Sequence, residues 1–360
     1  MAYRSLRLQT LHYWARPQEQ VLLEPLNIPA AWRGAQLRER DDWVDPLTPA
    51  EVAELHAAVR AAQSSGRALA QLTSADFPLP TLAGRIAGWR REVRHGRGFA
   101  LIRGVPVREW SQAQSEIFFW CFGLHFGVPG AQNAQGDLLG HVRDLRSSTD
   151  ERYYRTNKAL AVHTDTADVV GLLCLQPAKS GGLSRIVSSV AVYNELLRRR
   201  PDLAPLLYQP LHFDTHGDGG VPAFAVPPCA YAGGELRSFW QSDYYRTAAR
   251  HPGVPPLTQQ QQELLDLYDG IANSPEFYLD MDLAPGDVQL LSNHTQLHAR
   301  TAFEDWPELE RRRHLLRLWI SLREDAPLAQ RLGALRSGAV LAASAARELL
   351  RARLRGAGAH

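Results

Sequence analysis

Apolar positions along this chain change their spacing near residue 138. Upstream they recur at helical intervals. Thr48 suits an N-cap, Pro49 the first helical position and Glu51 the far side of a capping box, which predicts a helix over 48–64. A second helix is expected over 80–94 and a third, rich in aromatics and packed on a sheet, over 111–126. Between these last two, the segment 96–104 reads as a buried strand bounded by glycine turns. Residues 1–45 are mixed and rich in Trp, Pro and Arg, and predict irregular structure with short strands.

Downstream, short apolar runs alternate with turn residues over 138–142, 160–163, 169–175, 185–188, 236–240, 288–291 and 315–322. Many short strands punctuated by Gly and Pro imply a sandwich or barrel, of which the jelly roll is one solution. Helices are expected at 191–200 and 259–273, and an Ala-, Leu- and Arg-rich helix at about 327–354. The fold class expected is mostly β with flanking helices: one domain over 1–360, with a double-stranded β-helix core at about 98–325 and residues 1–97 and the tail packed on it. The segment 212–232, rich in Gly and Pro, reads as a long connection of the kind that covers active sites.

Composition narrows the classes. The 360 residues are 45% hydrophobic, enough for a large core. A net charge of +2, from 40 Lys+Arg against 38 Asp+Glu, leaves no basic surplus for a phosphate backbone, so no nucleic-acid partner is expected. Cys121, Cys174 and Cys229 form neither a CxxC pair nor a disulfide framework and point to a reducing compartment. With no signal-peptide pattern and no apolar run near the ~20 residues of a membrane span, a cytoplasmic protein without membrane attachment is expected.

The candidate chemistry lies in His163-Thr164-Asp165. Strand side chains alternate, so His163 and Asp165 project together. A third donor from a distant strand would complete the two-histidine, one-carboxylate set that holds non-haem Fe(II). His298 and its neighbour His294 both qualify, following the turn and strand at 285–291. The segment 311–317 offers Arg313 and Arg317, four apart and on one strand face. Leu316 and Leu318 bracket Arg317 in a strand that reads as buried, where a guanidinium needs an anion. Gly181-Gly182 makes a turn into a strand on which Ser184 offers a hydroxyl. Tyr153, Tyr154, Tyr244 and Tyr245 are paired aromatics that could line a pocket.

The ordered set His163-Thr164-Asp165, Gly181-Gly182-x-Ser184, Asn293-x-x-x-x-His298-x-Arg300-Thr301 and Arg313-x-x-x-Arg317 resembles the TauD/TfdA (taurine dioxygenase) family of Fe(II)- and 2-oxoglutarate-dependent dioxygenases, with clavaminate synthase-like relatives. The resemblance covers roughly 160–320 and favours His298 over His294. It implies that His163, Asp165 and His298 bind Fe(II). It also implies that Arg313, helped by Ser184, pairs with the distal carboxylate of 2-oxoglutarate, with O2 as the other co-substrate. Arg317 matches a position that meets an anionic group of the prime substrate, and Gln132 a loop beside it, though an ordinary Asn/Gln/Gly loop explains Gln132 equally well. The implied reaction oxidises an unactivated C–H bond of a small, anionic, amino-acid-like molecule, releasing succinate and CO2, with hydroxylation, desaturation or cyclisation as outcomes. Asp165 disfavours halogenation, since related halogenases carry a small residue there. A noncatalytic jelly-roll binding protein is the competing reading, and the oligomeric state stays open.

Overall fold

The computed structural model describes residues 3–14, 18–133, 135–144, 157–216 and 221–322. The expected helix at 327–354 and the Tyr153–Tyr154 pair lie outside them.

Two sheets carry the structure. The larger runs in the order Val44–Pro46, Phe99–Arg103, Val288–Ser292, Val169–Gln176, His314–Ser321, Val128–Gly130, with Gly140–Val142 also paired to His314–Ser321. The smaller runs Tyr278–Met281, Ser184–Ser188, Gln296–Arg300, Leu160–His163. Strands remote in sequence pair antiparallel in both, apart from the parallel edge of Val44–Pro46 on Phe99–Arg103. This is the double-stranded β-helix, or jelly roll, with helices on its outer faces.

Side-chain alternation sorts the apolar residues into three cores. From His314–Ser321, Leu316, Leu318 and Ile320 pack outward against helices Pro49–Ser64, Ala83–His95 and Gln112–Phe126, through residues such as Val59, Trp89 and Phe119. Leu315 and Trp319 of the same strand turn inward to meet Phe99, Leu101, Ile186 and Met281 between the sheets. On the far side, Val187 and Leu297 of the smaller sheet pack on helices Ser189–Arg199 and Gln259–Ala272. The inward face of both sheets is therefore the place left for polar chemistry.

The capping box forms as expected, with Glu51 Oε2 accepting from Thr48 N at 2.7 Å and Thr48 Oγ1 accepting from Glu51 N at 3.3 Å. Two expectations need correction. Residues 1–45 hold a helix, Leu6–Trp14, and a short one, Gly34–Leu37, with Val44–Pro46 the sole strand described there. The first helix carries no apolar stripe, and tertiary bonds hold it instead. Ser321 Oγ donates to Gln9 Oε1 at 2.7 Å, and the Arg4 backbone bonds to Pro129 and Ala131 at 2.9 Å each. Nor is 212–232 a plain connection. Leu211–Asp214 pairs with Ala223–Val226, and Cys229–Ala232 with Glu235–Ser238 across Gly233 and Gly234, whose φ values of 58° and 82° suit glycine.

The three cysteines are buried and unpaired, and burial pushes each thiol up to about 12. Among the described residues no helix is long and apolar enough to cross a membrane.

Candidate active site

His163 ends the strand Leu160–His163, and His298 sits at the centre of Gln296–Arg300. These strands are antiparallel neighbours with His298 in register opposite His163, so the two rings meet with centroids 4.2 Å apart. Asp165 lies just past the strand end. One donor atom from each of His163, Asp165 and His298 falls within 4.8 Å of the other two.

His163 and Asp165 are in the right protonation states for a cation. His163 Nδ1 lies 2.9 Å from the Ala161 carbonyl, which can only accept, so Nε2 keeps its lone pair. Burial, reinforced by His298, lowers the His163 imidazole to about 4, and it is neutral at pH 7. Burial alone would raise the Asp165 carboxyl, but Arg317, His298 and His163 together hold it well below the usual carboxylate range. Two imidazoles and one carboxylate gathered this closely suit non-haem Fe(II) with open positions.

The segment that carries Thr164 and Asp165 is fixed from several sides. Asn293 Oδ1 accepts from Asp165 N at 3.2 Å, and Thr164 exchanges backbone and hydroxyl hydrogen bonds with Trp240 at 2.9 and 3.0 Å. Trp319 Nε1 donates to Asp165 Oδ2 at 2.9 Å. His294, the sequence rival of His298, points elsewhere: its Nε2 meets Asp168 Oδ1 at 2.9 Å, and its ring stacks on Tyr13. The same Asp168 carboxylate takes His12 Nε2 and the Leu322 N–H on its other oxygen, each at 2.8 Å.

His163, Asp165, His298 and Trp319 line a cavity of about 590 Å³ shared by the two sheets. At one end Arg313 is buried, its Nη1 has no hydrogen-bond partner among the described residues, and its Nη2 stands 3.5 Å from the Gly182 carbonyl. Burial lowers this guanidinium to about 10, which leaves it cationic at neutral pH. A buried cation with an unfilled N–H is costly even with the Asp305 charge nearby, and a carboxylate from a ligand would relieve it. The glycine turn makes the room: a Cβ at Gly182, where φ is 70°, would stand 3.1 Å from Arg313 Nε. Ser184 also lines this end, but its hydroxyl donates to Gln289 Oε1 at 2.8 Å, so meeting a carboxylate requires that hydroxyl to rotate. Arg300, which sequence reasoning placed in a motif without a role, lies over the Phe303 ring at 4.8 Å, with Arg313 over the same ring at 5.4 Å. Burial and the charge of Arg313 lower it to about 10.

Arg317 and Gln132 are brought together. Arg317 Nε donates to Gln132 Oε1 at 2.8 Å, and Gln132 Nε2 donates to the Arg317 and Leu138 carbonyls at 2.7 and 3.0 Å. Gln132 lines the cavity, yet its amide is committed to bracing the arginine. Arg317 Nη1 stands 3.7 Å from Asp165 Oδ2. Phe213, Phe224, Phe239 and Tyr244 form an aromatic part of the wall. Tyr245 is core, its hydroxyl bonded to the Phe239 carbonyl at 3.1 Å.

Residues 65–319 match the model of the "Taurine catabolism dioxygenase TauD, TfdA family". The chain is 33% identical over 319 residues to FR-33289 synthase of Streptomyces rubellomurinus, covering 84% of this chain and 92% of that protein. It is 31% identical over 323 residues to the taurine hydroxylase-like protein SAT17 of Stachybotrys chartarum, covering 85% and 82%. Among solved structures, an asparagine oxygenase in complex with Fe(II), hydroxyasparagine and succinate superposes with a TM-score of 0.61 at 16% identity, covering 78% of this chain and 93% of that one.

Proposed function

This chain belongs to the TauD/TfdA family of Fe(II)- and 2-oxoglutarate-dependent dioxygenases, and on that premise we propose that it oxidises an unactivated C–H bond of a small anionic substrate, with His163, Asp165 and His298 as its iron ligands. The observation that carries this reading is the gathering of those three donors in the same cavity as the unpartnered Nη1 of Arg313. When bound, Fe(II) would supply the site at which O2 is reduced, with 2-oxoglutarate giving two of the four electrons and leaving as succinate and CO2 and the substrate C–H bond giving the other two.

The chain's own residues do the rest. His163 offers Nε2 because Nδ1 is engaged by a carbonyl, and Asp165 brings the negative charge that offsets the cation. Arg313 pairs with the distal carboxylate of 2-oxoglutarate, with Ser184 beside it. Arg pairs bidentately with carboxylates, and burial strengthens the contact. Arg317, braced by Gln132, meets an anionic group of the prime substrate on the metal side of the cavity. The aromatic wall excludes water from the reacting centre.

Similarity to a taurine hydroxylase-like protein and to the fold of an asparagine oxygenase supports amino acids and small sulfonates as the first compounds to try. The test is succinate release coupled to O2 uptake, screened over amino acids, carboxylates, sulfonates and phosphates. Stimulation by one acid identifies the substrate class. Absence of 2-oxoglutarate turnover with every compound, from iron-loaded and folded protein, would overturn the reading.

A further inference from the structure

We propose that Trp319 is a positioning residue of the metal centre, its indole N–H holding the Asp165 carboxylate while its ring carries the guanidinium of Arg317. The inference rests on the reading of Asp165 as an iron ligand. Trp319 projects inward from His314–Ser321, two residues beyond Arg317 and therefore on the same strand face. Three groups converge on Asp165 Oδ2. The indole nitrogen stands at 2.9 Å, an ordinary N–H···O length, whereas His298 Nε2 stands at 3.6 Å and Arg317 Nη1 at 3.7 Å. The neutral donor is the one that reaches hydrogen-bond distance, and the full charge is held off.

That spacing has a physical cause. A carboxylate and a guanidinium this close in a partly dry cavity attract strongly and would close into a bidentate pair if both were free to turn. Closure would take Asp165 away from the two histidines and would pull the Arg317 guanidinium off Gln132 and the Trp319 ring. Two contacts oppose it. Gln132 Oε1 holds Arg317 Nε at 2.8 Å, and the Trp319 ring lies under the guanidinium, 5.0 Å from Cζ. The indole N–H meanwhile fixes the rotation of the carboxylate. Trp319 thus keeps apart two opposite charges that the chemistry needs for two different ligands.

The test uses the whole chain and Co(II) as the probe ion. Partners of metal ligands commonly matter about 10–100-fold in affinity. Trp319→Phe keeps most of the ring and deletes the donor. Calorimetric titration should show Co(II) binding weakened roughly tenfold or more, and the ligand-field absorption of bound Co(II) should change. Trp319→His, which keeps a ring N–H, should recover part of the lost affinity, as a pure packing role would not. Equal affinity and an identical spectrum in Trp319→Phe and wild type would overturn the inference alone, whereas wild-type protein that binds no Co(II) would overturn the metal-centre reading beneath it. Should Trp319→Phe not fold, ¹⁵N-tryptophan labelling of the wild-type chain answers the same point. The Trp319 indole N–H should resonate downfield and exchange slowly in metal-free protein. An unshifted, rapidly exchanging resonance would refute the hydrogen bond.

Discussion

His298 stands directly opposite His163 across an antiparallel strand pair, which brings two side chains 135 positions apart in sequence to a ring-centroid distance of 4.2 Å. The relationship is set by backbone register rather than by a loop. A one-residue slip of Gln296–Arg300 would turn His298 out of the interior and Leu297 or Ala299 into it. Asp165, the third proposed ligand, lies outside that register and depends on side-chain and backbone anchors instead.

Asp165→Ala should therefore abolish turnover and weaken Co(II) binding about 100-fold or more, since it removes a direct ligand where loss of a mere neighbour costs about 10–100-fold. The fold should persist, because the histidine pair is carried by strands. Calorimetry and circular dichroism check the two halves of this statement. Undiminished turnover would exclude Asp165 as a ligand.

Arg313→Ala should raise the KM for 2-oxoglutarate about 10–100-fold, the loss expected for one charge-assisted hydrogen-bonded contact of roughly 1.5–3 kcal/mol. Arg313→Lys should recover little, because a point charge does not reproduce the guanidinium fork. Initial rates against 2-oxoglutarate concentration decide the matter.

Gly182→Ala should affect the same parameter from the other side of the contact. With φ at 70° and Arg313 Nε 3.1 Å from the new Cβ, either the turn or the arginine must give. A side chain in this backbone region costs about 1–2 kcal/mol, and the KM for 2-oxoglutarate should rise alongside a lower melting temperature. A variant with wild-type KM would show that Arg313 adjusts without loss.

Acid should loosen the hairpin that carries Phe213 and Thr215. Asp214 is buried, with Arg250 Nε at 2.7 Å and His251 Nε2 at 3.0 Å. Burial would raise its carboxyl, but His251, the His216 N–H and neighbouring groups outweigh it and hold the group at about 2. A folded carboxyl that titrates below the unfolded one stabilises above pH about 4, and that stability is lost as pH falls toward 2. Its partners are partly exposed, so the contribution is about 1–2 kcal/mol after screening. Melting temperatures of Asp214→Asn and wild type should converge as pH drops through this window. A constant difference would sink the assignment.

Much of the site was legible because strand alternation is a short-range rule. Its period of two directed attention to His163 with Asp165 and to Arg313 with Arg317, although Asp165 and Arg313 lie just outside the strands Leu160–His163 and His314–Ser321, and Leu316 and Leu318 marked Arg317 as part of a buried strand. Other contacts follow no local rule. The bonds of Trp319 to Asp165 and of Ser184 to Gln289 cross between strands whose neighbours only the topology defines. The helix Leu6–Trp14 was hidden for a related reason: its sequence lacks an apolar stripe, and its anchors lie more than 100 residues away. The hairpin of Leu211–Asp214 and Ala223–Val226 was masked by the glycines and prolines between its arms.

The Asp168 carboxylate, three residues past Asp165, gathers His12 from the N-terminal helix, His294 from the turn before the distal histidine, and the Leu322 N–H where the last described strand ends. Both ends of the described chain are thereby pinned to the segment that follows Asp165. Trimming the first fourteen residues would remove the His12 contact from that carboxylate together with the Arg4 and Gln9 bonds to the larger sheet, so an expression design that spares them keeps the surroundings of Asp165 whole.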